Sequence, residues 1–385
     1  MRNKILFVGT FIMPDKNAAA IRVLGIAKAL RKEGFEVVFQ GNQIDDSEPT
    51  KVVDNYVDGF LYKTREKWSS KEYYFDDSYI RKTVESLNKD TVCAIIMYHS
   101  AAILSIRLNT YCKKNGIKLI ADITEWYDIK RQLNSGHIAI RALDFWTRVY
   151  IANPHIGNII AISSYLENYY IKKKCNTIKV PILDITENKD IKIEKTDFNI
   201  HFCYCGSPTQ KDMLLPIVEN AVELINNGIR NFDLQIVGIT QEQFETNNNL
   251  KIDSKYSEWI KFYGRVPHEE AVNILSKSDY SFIIRPSMRY AIAGFPTKMV
   301  EAFSVGVAVI ACSNGDIPDY VKNNVNGFLI NPNNIYEDLE KIMKLVTSLS
   351  TIEVNEMKRN SLQTAREKFD FSYYAAPLKE YLNGI

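Results

Sequence analysis

The feature that most constrains this chain is a repeated alternation. Short apolar runs of strand length are each followed by a polar or glycine-containing loop and then by a stretch with helical spacing. That order builds βαβ units, in which the strands lie parallel and helices cover the sheet. Residues 4–8 read as the first strand. After a loop at 9–17, residues 18–32 carry Ile21, Leu24, Ala27, Lys28 and Leu30 at helical spacing, and Gly34 stands where a helix-terminating glycine is expected. Further strands are expected at 36–39, 92–97, 118–121, 158–162 and 177–180, with a helix near 101–114 closed by Gly116. Residues 45–80 are aromatic-rich, fit neither period and stay unassigned.

The charged stretch 187–197 has no clear apolar face and reads as a linker. A second α/β series follows, with strands expected at 200–204, 233–237, 260–263, 280–284, 308–311 and 328–330. Helices are expected near 214–226, 269–276, 297–305 and 336–349, then a helical tail from 354 with an aromatic cluster at 369–374. A length of 385 residues suits two such domains. In open α/β folds ligands bind at the carboxyl edge of the sheet, so the pattern predicts a cleft between two facing edges.

Composition narrows the class. With 46% hydrophobic and 24% charged residues the chain is globular, not disordered. It has no apolar run of about 18 residues, and its opening strand is too short for a signal-peptide core, which predicts a cytoplasmic protein. The six cysteines (93, 112, 175, 203, 205, 312) form no Cys-x-x-Cys pair and mostly sit in apolar runs, so reduced, buried thiols are expected rather than zinc or disulfides. The net charge of +2 conceals an asymmetry: residues 1–183 carry 27 Lys+Arg against 19 Asp+Glu, the remainder 21 against 27. A basic half suits an anionic membrane surface or a phosphorylated acceptor, and an unevenly charged soluble surface equally.

The most informative segment runs from Arg285 through a Gly/Pro loop into a helix at 297–305. Thr297 is placed to cap that helix, whose free N–H groups and dipole make an anion site, and Lys298 adds a full charge beside it. Phosphate is the natural guest. Glu301, one turn on from Lys298, can accept hydrogen bonds from a diol such as a ribose; a capping role is its alternative. Arg285 and Arg289 flank the loop and suit a diphosphate, a surface salt bridge being the alternative for Arg289. Gly206-Ser207-Pro208-Thr209-Gln210-Lys211 leaves an earlier strand as a glycine turn with a lysine, which reads as a second phosphate contact or as a solvated turn.

Taken together, residues 200–330 resemble the nucleotide-sugar half of a family 4 glycosyltransferase, a retaining enzyme of the GT-B fold. The resemblance runs in order through Gly206 to Lys211, Phe262-Tyr-Gly264-Arg265-Val266-Pro-His268, Ser278-Asp279-Tyr280, Phe295-Pro296-Thr297-Lys298-Met299-Val-Glu301 and Asn323-Asn-Val-Asn326-Gly327. It implies that Lys298, Arg285 and Lys211 approach the donor diphosphate, that the backbone of Gly206, Ser207, Pro296, Thr297 and Met299 surrounds it, and that Arg289 adds a contact. It further implies that Val266 borders the base and Glu301 binds the ribose. The family often has a second glutamate eight residues before this one, where the chain has Ala293.

The first half resembles the family's acceptor domain through its opening strand, the helix entry at Asn17 to Arg22 and Gly34-Phe-Glu-Val-Val. His99 follows one strand there, and Asp122 and Glu125 follow the next, which makes Asn17, Arg22, His99, Asp122 and Glu125 the candidate acceptor contacts. A structural histidine and a solvated acidic loop are the alternatives. The expected architecture is GT-B: two Rossmann-like parallel-sheet domains facing a cleft, 1–186 for the acceptor and 187–369 for the nucleotide sugar, with the tail of about 370–385 crossing back to the first. The implied function is transfer of a hexose-type sugar from a nucleoside diphosphate sugar, UDP favoured, to a saccharide or lipid-linked saccharide in bacterial surface polysaccharide synthesis. No metal, cofactor or nucleic acid is expected, and an association with the inner membrane face is. A nucleotide-sugar 2-epimerase of the same fold and a two-lobed sugar-binding protein are the competing readings.

Overall fold

The computed structural model describes residues 2–13, 18–42, 54–65, 70–126, 138–184, 191, 193, 195, 197–208 and 212–385. The chain forms two units. Met1–Ile185 and Phe371–Ile385 make the first, Thr186–Asp370 the second.

The first unit holds eight strands: β1 (Lys4–Gly9), β2 (Glu36–Asn42), β3 (Asp54–Val57), β4 (Phe60–Arg65), β5 (Val92–Tyr98), β6 (Lys118–Ile123), β7 (Asn158–Ala161) and β8 (Asn176–Lys179). They pair in the order β3-β4-β2-β1-β5-β6-β7-β8, all parallel except β3 with β4. The β3–β4 hairpin falls in the stretch the apolar pattern leaves unassigned. Its turn is Asp58-Gly59, both residues with positive φ, the two-residue geometry that matches strand twist. The helix Ala18–Lys32 packs Val23, Ile26, Ala27 and Leu30 against Ile5, Phe7, Phe39 and Ile96 of the sheet, each such side chain contributing about 1.5–3 kcal/mol. The tail adds Ala375, Leu378 and Leu382 to this core. There Lys379 pairs with Glu33 at 2.9 Å and the Tyr381 hydroxyl donates to the Asn176 carbonyl at 3.1 Å.

The second unit is a six-stranded parallel sheet: β9 (Ile200–Cys205), β10 (Phe232–Val237), β11 (Ile260–Gly264), β12 (Tyr280–Ile283), β13 (Ala308–Cys312) and β14 (Gly327–Ile330), in the order β11-β10-β9-β12-β13-β14. Phe202, Leu234, Phe282 and Ile310 meet Ile217, Ala221 and Leu224 of helix Leu215–Asn226 and Leu339 and Met343 of helix Ile335–Val346. The aromatic cluster at the chain's end divides. Phe369 packs on Phe295 and Tyr320 in this unit, whereas Phe371 lies under Lys28 in the first. All six cysteines are free thiols, four of them buried.

In both sheets the order of the parallel strands reverses once, between β1 and β5 and between β9 and β12. Loops leave the carboxyl ends of those strands in opposite directions, which opens a crevice at each reversal. The candidate residues gather at these two points.

Candidate active site

In the second unit three strands end on glycines with positive φ: Gly206 after β9, Gly238 after β10 and Gly264 at the end of β11. Gly238 is required by close approach to backbone, and Gly206 by its φ of +137°. A Cβ on Gly238 would lie 2.4 Å from the Gly206 carbonyl oxygen, and one on Gly206 would lie 2.4 Å from Cε of Lys298. The lysine side chain therefore runs directly over the backbone that leaves β9.

What holds Lys298 there is a residue that the sequence reading passed over. Asp212 accepts from Lys298 Nζ at 3.0 Å through Oδ2 and from Arg285 Nε at 2.8 Å through Oδ1. Lys298 also donates to the Tyr204 hydroxyl at 3.2 Å and lies 4.3 Å from the centre of that ring. Two longer-range hydrogen bonds fix the segments that carry Asp212 and Arg285. The N–H of Met213 donates to the Ile284 carbonyl at 2.8 Å, tying the segment after β9 to the end of β12. The Arg285 carbonyl accepts from Asn314 Nδ2 at 2.8 Å, which ties it to the loop after β13. Burial pushes the Asp212 carboxyl up, but Arg285 and Lys298 more than offset this and hold it below the usual carboxylate range. The result is two cations against one carboxylate at the strand-order reversal, a net positive, partly buried site.

The helix behind it spans Thr297–Ser304, and here one expectation is corrected. Thr297 is not the cap: Pro296 holds that position with an extended backbone, no side chain caps the helix, and Thr297 is its first turn residue. The physical reason is that proline presets the chain geometry before a helix but has no side-chain acceptor to offer. The N–H of Met299 turns back on the Pro296 carbonyl at 3.0 Å, and Met299 itself is buried. Glu301 is half-buried on the same helix. Burial raises its carboxyl above the ordinary range against the opposing pull of His268 and Lys298. Helix His268–Ser276, entered from the β11 loop that carries half-buried Val266, packs against the same helix. Ser207 is exposed beside Gly206, and Arg289 is exposed at the start of the short helix Arg289–Ala293. Lys211 lies outside the described residues, as does Asn17.

In the first unit two candidate acceptor contacts are corrected. Arg22 and Asp122 are 1% and 2% exposed, and they spend their polar groups on each other. Arg22 Nε reaches both Asp122 oxygens at 3.0 Å, its Nη2 reaches Oδ1 at 2.6 Å, and its Nη1 donates to the Val180 and Pro181 carbonyls at 2.9 and 3.2 Å. A pair so enclosed ties helix Ala18–Lys32 to β6 and the segment after β8 and leaves neither side chain exposed, although Asp122 stands among the residues lining the pocket described next. His99 and Glu125 fare differently. Both line a small pocket of about 30 Å³ at the carboxyl ends of β5 and β6, together with Ser105, Arg148 and Asn153. His99 has φ +53°, its Nε2 is 2.5 Å from Thr124 Oγ1, and its carbonyl accepts from the Tyr73 hydroxyl at 3.1 Å. The ring is held by a backbone conformation uncommon for a residue other than glycine. Arg148 pairs with Asp144 at 2.5 Å; their spacing of four on a helix is the signal that finds them.

Residues 193–364 match the family model described as glycosyl transferases group 1. An uncharacterised glycosyltransferase of Methanocaldococcus jannaschii is 25% identical over 238 residues, 58% of this chain and 56% of the relative. The amylovoran biosynthesis glycosyltransferase AmsK of Erwinia amylovora is 27% identical over 101 residues, 26% of this chain and 24% of its own. The chain thus spans about half, or less, of the curated relatives it matches. Among solved structures, sucrose-phosphate synthase from Thermosynechococcus elongatus superimposes with a TM-score of 0.71 at 15% identity, over 100% of this chain and 99% of the other. HepE of Anabaena in complex with UDP gives 0.66 at 14% identity, over 99% and 100%. Likeness at this identity speaks to the fold, which is that of the GT-B glycosyltransferases, and the matched stretch of the second unit is similar to the group 1 glycosyl transferases.

Proposed function

We propose that the protein is a retaining glycosyltransferase that moves a sugar from a UDP-sugar to a saccharide or lipid-linked saccharide acceptor in surface polysaccharide synthesis. The observation that carries this reading is the Arg285–Asp212–Lys298 cluster over the glycine turn of β9, beside an uncapped helix start. Two cations and the N–H groups of Thr297 and Lys298 suit a diphosphate, the Met299 N–H being taken by the Pro296 carbonyl, and their pre-set positions need no rearrangement as the leaving group gains charge. In the transfer the bond between the sugar's anomeric carbon and the diphosphate oxygen breaks, a bond to an acceptor hydroxyl oxygen forms, and the hydroxyl proton is released. Lys298 and Arg285, with Lys211, stabilise the departing diphosphate. The backbone at Gly206, Ser207 and Pro296 to Met299 encloses it with Arg289, Val266 borders the base and Glu301 takes the ribose diol. The reading invokes no metal or cofactor.

The acceptor side is assigned to the first unit and its pocket at His99 and Glu125, with Asn17 a further contact that the resemblance implies. UDP is favoured because structures of this fold are described with UDP or a UDP-sugar bound, HepE and an Escherichia coli protein bound with UDP-2-fluoro glucose among them. The polysaccharide role is supported by the name of the Erwinia relative. A screen of UDP-, GDP- and ADP-sugars for slow hydrolysis tests the proposal. Release of UDP from at least one UDP-sugar with the anomeric configuration kept is the expected result; hydrolysis of none of them overturns it.

A further inference from the structure

The cation cluster of the second unit has a carboxylate in direct contact with both of its cations. Asp212 is 9% exposed, and each of its oxygens is engaged: Oδ1 accepts from Arg285 Nε at 2.8 Å and Oδ2 from Lys298 Nζ at 3.0 Å. For a site that binds an anion this is a costly neighbour. A partly buried carboxylate repels an incoming diphosphate at close range, where water screens little. Neutral groups already hold much of the cluster. Lys298 donates to the Tyr204 hydroxyl at 3.2 Å and lies 4.3 Å from the centre of that ring. The Arg285 N–H donates to Cys312 Sγ at 3.3 Å, and its carbonyl accepts from Asn314 Nδ2 at 2.8 Å. What Asp212 adds to these contacts is its charge.

The unused donors decide what becomes of that charge when a ligand arrives. Arg285 gives Asp212 only its Nε–H, and its two terminal amino groups have no partner among the described residues. The Lys298 ammonium donates to Asp212 and Tyr204, which leaves it a further N–H. A diphosphate can take these groups without displacing Asp212, so the carboxylate stays beside the bound anion and weakens its attraction throughout. Protonation does not remove it either: burial pushes the carboxyl up, but Arg285 and Lys298 outweigh that and keep it below the usual carboxylate range. The two ligands of a transfer cycle feel this charge unequally. Loss of the sugar exposes a further ionisable phosphate oxygen, so the nucleoside diphosphate that leaves is more anionic than the donor that enters. Unopposed cations would hold the product the more tightly of the two.

We propose that Asp212 is the counter-ion of the diphosphate site, a positioning residue whose charge weakens the hold of Arg285 and Lys298 on the product so that it is released. This rests on the reading of the cluster as the donor site and adds to it the control of product release. Calorimetric titration of wild type, Asp212→Asn and Asp212→Glu with UDP tests it, with uridine as the uncharged control. Asp212→Asn should bind UDP about tenfold or more tightly than wild type, because a full charge beside the anion is gone. Uridine binding should not change. Asp212→Glu keeps the charge and should return UDP affinity toward the wild-type value. Added UDP should inhibit UDP-sugar hydrolysis by Asp212→Asn at about tenfold lower concentration than it inhibits wild type. Unfolding temperatures are measured alongside, with Asp212→Ser as a second neutral variant. UDP binding by a folded neutral variant that equals or falls below wild type overturns the proposal and leaves Asp212 a brace for two side chains. Failure of both neutral variants to fold overturns it too, assigning the residue to stability alone. A wild type that does not bind UDP at all overturns the reading of the site itself, and the role of Asp212 with it.

Discussion

Lys298 sits at the positive end of its helix, where a lysine is ordinarily slightly unfavourable, and the structure shows what outweighs that cost. Its ammonium is shared between the Asp212 carboxylate and the Tyr204 ring, so it is a committed group and not a loose surface charge. Lys298→Ala should therefore act twice. Catalytic efficiency should fall about a hundredfold to a thousandfold, the scale of losing one main electrostatic stabiliser. Stability should fall by about 1–3 kcal/mol because Asp212 keeps only Arg285. Glu301→Ala should raise KM with little change in kcat, since a ribose contact is made in ground and transition states alike. Steady-state kinetics beside urea unfolding separates these outcomes, and an unchanged kcat/KM in Lys298→Ala would remove the lysine from the chemistry. The Arg22–Asp122 pair behaves in the opposite way. Arg22→Met should destabilise the first unit by about 3–5 kcal/mol by stranding a buried carboxylate, and adding Asp122→Leu should recover much of the loss. Urea midpoints of the single and double variants check this.

Among elements, the parallel strands were legible because a strand covered on both faces reads as an unbroken apolar run, as in β5 and β13. Helices ending at Gly34 and Gly116 were legible because both glycines stand at positive φ. The β3–β4 hairpin was not, since its strands are short and one is largely polar, although Asp58-Gly59 carries its turn signal. In the site, the sequence located the cations and the helix start but not Asp212, because pairing across 86 and 73 residues has no local signature. Burial of Arg22 and Asp122 was equally invisible, since a polar residue after an apolar strand looks the same whether it meets solvent or a distant partner. A pH dependence belongs to β9. His201 lies between Asp233 at 2.6 Å and Asp197 at 3.0 Å, and the Asp233 hydrogen bond foremost raises its pKa from 6.5 to about 9 despite partial burial. A raised folded value stabilises fully below about pH 6.5 and is lost as pH rises through 9. The second unit should lose at most about 3 kcal/mol over that window. Thermal unfolding of wild type and His201→Gln from pH 6 to 9.5 checks it: the variant should be less stable at pH 6 and converge with wild type at the alkaline end.

For the whole molecule, two Rossmann-like units are built on one plan, each with one reversal in the order of its parallel strands and with candidate polar groups at that point. In the second unit the groups are cations organised by a carboxylate; in the first they are a histidine, a glutamate and an arginine around a pocket. The central claim is that the cation cluster exists to hold a nucleoside diphosphate, and calorimetric titration with UDP tests it most directly. Uridine is the control for base and ribose contacts alone, and Arg285→Ala and Lys298→Ala are the variants. The account predicts saturable binding of UDP, binding of uridine weaker by about a hundredfold, and a loss of about tenfold or more in each variant, the worth of one charge-assisted phosphate contact. UDP that binds no better than uridine, or that binds both variants as it binds the wild type, would contradict it.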